Sequence, residues 1–321
     1  MAACARTEAP RAQAPSPPRD TLTLATWNLE WLIAPTVFAQ LKDTCARPED
    51  SVTANDRRLP CDVAQRFERS SRDFKALAGY AKALNADVIA LQEVDGPEAA
   101  RLVFEGYAFC FSRSRHLQNT GFAVRADLPM RCGRDVVDLS LKDTVRRGTE
   151  LILFPGTPRE IRLLSVHLKS GCSRDPLDSA RQACATLARQ VAPLEAWIDA
   201  QARAGRPFAV LGDFNRDLVR EARDREAGKP AGLWGEIDDG DPPEADLVNT
   251  AEGQPFTNCV RGQSYRAYID YIVLSRTLAG AWVPGSFRRV TYAPKDARRL
   301  RLSDHCPVAI QVRVGQLARV Q

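Results

Sequence analysis

Apolar residues along this chain gather into short runs, and six of the runs end on, or contain, a polar side chain. Leu24-Ala-Thr-Trp-Asn-Leu-Glu-Trp31, Val88-Ile-Ala-Leu-Gln-Glu-Val94 and Ile161-Arg-Leu-Leu-Ser-Val-His-Leu-Lys169 are three. Phe208-Ala-Val-Leu-Gly-Asp-Phe-Asn215, Tyr268-Ile-Asp-Tyr-Ile-Val-Leu-Ser275 and Leu302-Ser-Asp-His-Cys-Pro-Val308 complete the set. Short aliphatic and β-branched runs predict buried strands. Packing alone does not explain why each carries a carboxylate, amide or imidazole. Further strands are expected at 106–113, 121–125, 134–141, 150–154 and 307–314, with a polar turn at 116–120.

Helical spacing occurs twice. Phe67, Phe74, Leu77, Ala78, Ala81 and Leu84 share one face of a helix predicted over 66–84, closed by Asn85. Leu187, Val191, Leu194 and Ile198 do the same over 179–204, where Gly205 stops the helix. Segment 34–62 reads as an ordered insertion, and 216–246 as a surface loop with at most a short helix. A β-rich order with two long helices predicts two packed sheets, helices outside and one core over 21–321.

The first twenty residues are Ala- and Pro-rich, cannot build a core, and read as a tether. Ala2-Ala3-Cys4 is similar to the end of a bacterial lipoprotein signal without its apolar segment. This opens the expectation of export with a lipid tether on Cys4, against a cytoplasmic alternative. Setting Cys4 aside leaves eight cysteines without zinc-site spacing, an even number that points to disulfides and an oxidising compartment. Sequence does not fix their connectivity. Pairing in order (45–61, 110–132, 172–184, 259–306) is the reading adopted, with Cys306 its weakest member. The net charge of +5 suits a polyanionic partner, and only seven of the 45 basic residues are Lys. Arginine is the better bidentate phosphate ligand, although a compositional bias toward Ala, Arg and Pro would give the same count.

Glu93 and Asp304 stand at strand ends, where a carboxylate is either a paired anion or a ligand for a hard cation; Asn28 and Glu30 are supporting candidates. Of three histidines, His167 and His305 fall in these motifs and His116 does not. Asp270 is a candidate partner for His305, since a carboxylate on one imidazole nitrogen fixes the tautomer and raises the basicity of the other. Asp213 and Asn215 alternate at one strand end, so their side chains are expected to face the same way, although Gly-Asp-x-Asn is also an ordinary turn sequence. Arg113, Arg115, the pair Arg146 and Arg147, and Lys169 are candidates for contact with substrate phosphates.

Taken in order, Thr26-Trp-Asn-Leu-Glu30, Leu91-Gln-Glu-Val94, Ser165-Val-His-Leu-Lys-Ser170, Gly212-Asp-Phe-Asn215, Ile269-Asp-Tyr271 and Ser303-Asp-His305 resemble the motifs of the endonuclease/exonuclease/phosphatase family. The resemblance spans 21–314. It implies an α+β fold, the four-layered α/β/β/α sandwich of two mostly antiparallel sheets found in deoxyribonuclease I. It also implies Mg²⁺- or Mn²⁺-dependent phosphoester hydrolysis at one edge of the sheets. By motif, Glu93 is the principal metal ligand, helped by Asn28, Asp304 and Glu30. Asp270 holds His305, Asp213 and Asn215 place water or phosphate, and His167 binds phosphate or assists the leaving group. The further motifs of abasic-site enzymes are not found. A monomeric nuclease acting on DNA or RNA is the first expectation. A phosphoesterase of lipid headgroups or small phosphoesters is the second, and a non-catalytic surface lipoprotein on the same scaffold the third.

Overall fold

The structure, a computed structural model, describes residues 19–47, 61–114, 116–230, 232–260 and 263–317. Two six-stranded sheets face each other. The first has the order β11-β12-β1-β2-β4-β3, from strands β1 (Leu22–Leu32), β2 (Val88–Val94), β3 (Tyr107–Phe111), β4 (Asn119–Arg125), β11 (Arg288–Arg289) and β12 (Val308–Val312). The second has the order β5-β6-β7-β8-β10-β9, from β5 (Met130–Val136), β6 (Gly148–Leu153), β7 (Ile161–His167), β8 (Phe208–Asp213), β9 (Leu247–Asn249) and β10 (Asp270–Ser275). In each sheet one central pair is parallel, β1 with β2 and β7 with β8, and the other pairs are antiparallel. A parallel pair needs a crossover, and helices supply both. α1 (Pro35–Cys45), α2 (Cys61–Arg66) and α3 (Ser71–Leu84) join β1 to β2, and α5 (Gln182–Arg203) joins β7 to β8. Shorter helices punctuate the loops: α4 (Pro97–Arg101), α6 (Leu218–Glu226), α7 (Leu233–Ile237), α8 (Arg276–Ala279), α9 (Pro294–Arg299) and α10 (Val314–Leu317). The expected sandwich, mostly antiparallel and flanked by helices, is what forms.

Residues alternating along the strands divide the core. Leu22, Leu24, Val88, Ala90, Val308 and Ile310 point between the sheets and meet Leu151, Leu163, Leu211 and Ile272. Ala25, Trp27, Ile89 and Leu91 point the other way, onto Phe74, Leu77 and Leu84 of α3. The anticipated α5 face, Leu187, Val191, Leu194 and Ile198, covers the second sheet. Toward one end of the sandwich the inter-sheet contacts turn polar. Gln92 Nε2 donates across to Ser165 Oγ at 3.2 Å, and within the first sheet Thr26 Oγ1 donates to Gln92 Oε1 at 3.1 Å. Gly212 marks the same end: its φ is +152°, and a Cβ there would lie 2.0 Å from the Val166 carbonyl oxygen, so β8 could not approach β7 with a side chain.

Three expectations shift. The helix predicted over 66–84 starts later, at Ser71, because Ser70 caps α3 with a capping box: Asp73 N–H donates to Ser70 Oγ, while Ser70 N–H donates to Asp73. The strand expected at 134–141 begins earlier, as β5, and ends in a single 3₁₀ turn from Val137 to Ser140. The 216–246 loop contains α6 and α7. All four disulfides form in sequential order, Cys45–Cys61, Cys110–Cys132, Cys172–Cys184 and Cys259–Cys306, so Cys306 is bonded as well as buried. Cys45–Cys61 staples α1 to the start of α2. The proposed tether lies outside the described residues, Cys4 included, except at its end: Arg19 ion-pairs with Asp87 and Asp127. No described helix is long and apolar enough to cross a membrane.

Candidate active site

Strand register assembles the polar end. His167 lies opposite Asp213 across the parallel pair, and Asp270 lies opposite Asp213 across the antiparallel one, so three site candidates occupy one rung of the second sheet. On the first sheet Asn28 pairs with Gln92, and just beyond it the β1–β2 register breaks, releasing Glu30 and Glu93 from the ladder. Glu30, Trp31 and Glu93 take left-handed backbone angles (φ 43°, 56° and 59°), as does Asn215 (φ 53°). Such angles cost roughly 1–3 kcal/mol each in a non-glycine residue and persist where the surroundings enforce them, characteristically at functional sites.

The two rims meet through Asn28. Its Nδ2 donates to Glu93 Oε1 at 3.2 Å and to Asp213 Oδ2 at 3.1 Å, while its Oδ1 accepts the Glu30 N–H at 2.9 Å. Asn28 therefore shows the site its amide N–H groups. Glu93 also accepts from Trp31 N–H at 3.2 Å and from Gln118 Nε2 at 2.5 Å. Asp213 ends β8, so Asn215 lies beyond the strand rather than alternating along it. An Asx turn still brings the two together: Asn215 N–H donates to Asp213 Oδ1 at 2.8 Å and Asn215 Nδ2 to Asp213 Oδ2 at 3.0 Å. The ring of His167 sits between both carboxylates, with Nε2 3.6 Å from Glu93 Oε1 and 3.5 Å from Asp213 Oδ2.

His305 binds Asp270 through Nδ1, at 2.8 and 3.0 Å from its two oxygens, and turns Nε2 toward Asp213 (3.9 Å) and Asp304 (3.7 Å). Burial alone would lower its pKa. The Asp270 carboxylate, with Asp213 and Asp304 beyond it, lifts it well above the ordinary histidine value, so this ring is an imidazolium. His167 goes the opposite way: burial, and the neighbouring cations of Arg146, His305 and Lys169, keep it neutral. Burial, with the Asp270 and Glu93 charges nearby, raises Asp213 to about 7 even though His305 pulls it down. Glu30 is likewise raised to about 7, by burial, Asp304 and Glu93, against the opposing pull of Arg69. The Asp304 N–H donates to Glu30 Oε2 at 3.1 Å, which fastens those two acidic residues together.

A metal has two possible seats. Asp213, Asp270 and His305 have ligand atoms all within 4.8 Å of one another. Their groups are already engaged with one another: His305 Nδ1 is committed to Asp270, and Asp213 Oδ2 accepts from Asn28 and Asn215. The carboxylates of Glu30, Glu93 and Asp304 are not drawn that tightly together, but they form an all-oxygen, like-charged corner, the donor chemistry of Mg²⁺ or Mn²⁺. The residues present fit such an ion.

The phosphate-contact candidates divide. Lys169 is close enough to His167 to act on its charge, while its ammonium donates to the Ser170 carbonyl at 2.9 Å. Arg113 is exposed on the loop after β3, and Arg115 lies outside the described residues. Arg146 reaches the site: Nη2 donates to Leu168 O at 3.0 Å, Nε is buried without a partner, and Glu93 and Asp213 are its carboxylate neighbours. Sequence reading missed Gln118, Tyr265 and Arg69. The Tyr265 hydroxyl donates to the Asp304 carbonyl at 2.8 Å and its ring lies against His305, with centroids 5.0 Å apart. Arg69 sits beneath the corner and donates to backbone carbonyls at the end of β1 and in the segment leading to Asp304. None of the three lies in a motif, and in so arginine-rich a chain one more arginine carries no signal.

Residues 25–305 match the family model described as "Endonuclease/Exonuclease/phosphatase family". No curated protein sequence matches the chain. Among solved structures, TDP2 from Caenorhabditis elegans superposes with a TM-score of 0.54 at 14% identity, over 91% of this chain and 74% of that one. The 3′ phosphatase NExo from Neisseria, solved with a product DNA hairpin, gives 0.52 at 17% identity, over 91% and 99%. The human nocturnin catalytic domain gives 0.51 at 15%, over 91% and 94%. At these identities the likeness is one of fold.

Proposed function

The chain belongs to the endonuclease/exonuclease/phosphatase family, and from that premise we propose that it is a metal-dependent phosphodiester hydrolase whose substrate is nucleic acid. The observation that carries the reading is geometric: His305, held by Asp270, turns its Nε2 toward a buried Asp213 on the same rung of the second sheet, beside an acidic corner. Glu93, Asp304 and Glu30 would hold Mg²⁺ or Mn²⁺, which supplies charge neutralisation at the phosphoryl oxygens. Asn28 orients Glu93 and Asp213 through its N–H groups rather than offering its oxygen.

Asp213 is the base. Burial raises its carboxyl toward neutral pH, and it accepts a proton from the attacking water as the new P–O bond forms. The opposite P–O ester bond breaks, and the leaving oxygen takes its proton from solvent. The Nε2–H of His305 points toward Asp213 and would stabilise charge building on the non-bridging oxygens. Asn215 fixes the Asp213 carboxylate, while neutral His167 and the Arg146 guanidinium line the place where the phosphate would sit.

Nucleic acid is favoured by the net charge of +5 and by the arginine-dominated cations. The four disulfides support a protein exported to an oxidising compartment of a bacterium, where a lipid on Cys4 would tether it. The deciding assay is nicking of supercoiled plasmid DNA in Mg²⁺, with EDTA and Asp304→Ala as controls. Nicking lost in both controls is the expected result. A folded protein that leaves plasmid and linear DNA intact but hydrolyses a lipid or small phosphoester would overturn the choice of substrate.

A further inference from the structure

Next to the acidic corner lies a cavity of about 570 Å³, lined on one side by Glu30 and Asp304. Its outer wall carries four arginines: Arg72 at the start of α3, Arg298 and Arg299 on α9, and Arg301 just before the Ser-Asp-His motif. All four are exposed, and among the described residues none has a carboxylate partner. The one acid on that wall is already used. Asp73 Oδ2 accepts from Ser70 N–H and Oγ, both at 2.7 Å, and Asp73 Oδ1 accepts from Arg301 N–H at 2.9 Å. Among the described residues the Arg301 guanidinium meets only the face of Phe67, 5.7 Å from its centroid.

A cluster of unpaired guanidinium groups repels itself, and an anion at its centre relieves that cost. Guanidinium forks match phosphate oxygens in geometry as well as charge. The cavity is continuous with the corner where the scissile phosphate would lie, and a nucleic-acid strand carries its next charge about 3.4 Å further along the helix axis. We propose that this cavity is a subsite for the backbone phosphate flanking the one being cleaved, so that the arginines of α9 select polymeric over single-ester substrates. The proposal rests on the phosphodiesterase reading above and deepens it.

The test is equilibrium binding of a labelled 12-residue single-stranded oligonucleotide in EDTA, read by anisotropy over a range of salt. Arg298→Ala/Arg299→Ala is compared with wild type and with Arg298→Lys/Arg299→Lys. The expected result is at least ~10-fold weaker binding by the alanine variant and a salt slope smaller by about 0.7 for each phosphate no longer neutralised, partly restored by lysine. Equal affinity and equal slope would overturn the subsite, as would weaker binding with an unchanged slope. Hydrolysis of bis(p-nitrophenyl) phosphate by the wild type separates the two readings. Hydrolysis without oligonucleotide binding keeps the phosphodiesterase and removes the subsite, as would arginine-dependent binding to phosphatidylglycerol vesicles in its place. No hydrolysis, with oligonucleotide binding that depends on the arginines, keeps the subsite and removes the phosphodiesterase.

Discussion

Arg69→Met should disable the acidic corner without touching any group that meets substrate. Arg69 lies between α2 and α3, and its guanidinium donates to five backbone carbonyls. Three belong to the strained end of β1: Leu29 O at 2.9 Å, Glu30 O at 2.8 Å and Trp31 O at 2.7 Å. The others are Arg301 O at 3.1 Å and Leu302 O, in the segment leading to Asp304. One side chain thus fixes the spacing of two acids that come from opposite ends of the sequence. Burial pulls the guanidinium down only to about 10, so it stays charged at neutral pH, and it is the cation that opposes the rise of Glu30. Charge-assisted bonds contribute roughly 1.5–3 kcal/mol singly, but five on one group do not add. Loss of a buried ionic network is a better gauge, at about 3–5 kcal/mol. At about 2 °C per kcal/mol in a large domain, Tm should fall by about 6–10 °C. The half-saturating Mg²⁺ concentration for hydrolysis at neutral pH should rise about fivefold, the effect of about one further pKa unit on a Glu30 already near 7. Arg69→Lys keeps the charge but not the five-way fork, and should lie between. Calorimetry and a Mg²⁺ titration measure both quantities. A Tm within about 1 °C of wild type, together with unchanged half-saturation, would refute the reasoning.

Three other outcomes follow from the same geometry. Asp270→Asn should leave a folded protein with kcat/KM reduced about 10²–10⁴-fold, because His305 loses the charge that keeps it an imidazolium; ¹H–¹⁵N spectra of the ring should show its pKa fallen, and a ring still protonated at pH 8 would contradict the assignment. The Mg²⁺-minus-EDTA difference in Tm should grow from pH 6 to pH 8. Glu30 holds its proton up to about 7 in the folded state, so a cation must displace it at lower pH, at about tenfold in affinity per pH unit; a difference flat across this window would exclude Glu30 from the metal corner. Denatured but unreduced protein should titrate at most one thiol, that of Cys4. Eight or nine reactive thiols would mean that the four disulfides, and the oxidising compartment they support, are absent.

Much of the molecule was legible from local rules. A run such as Val88 to Leu91 has one stable fate, a strand covered on both faces, and Leu187, Val191, Leu194 and Ile198 can share a face only in a helix. Because the polar residues closed those runs, the strands also announced which side chains would gather at a sheet end. The pairing of His305 with Asp270 and the nearness of Asp213 to Asn215 were anticipated in this way, although Asn215 arrives by a turn rather than by alternation. Periodicity says little about where a helix begins, so the helix expected from residue 66 starts only after the Ser70 cap.

What the tertiary structure alone decided is charge state and support. His167 and His305 are the same residue in similar motifs, yet one is held neutral by burial among cations and the other protonated by Asp270. Asn28 turned its N–H groups, not its oxygen, toward the carboxylates because the Glu30 N–H had taken the oxygen. Arg69, Tyr265 and the arginines around α9 have no local signature, since their roles depend on which distant carbonyls, rings and acids the fold brings within a few ångströms. Sequence determines which groups are available and which element carries each one. The fields that set their protonation, and the contacts that hold them still, fall off over distances that only the folded chain defines.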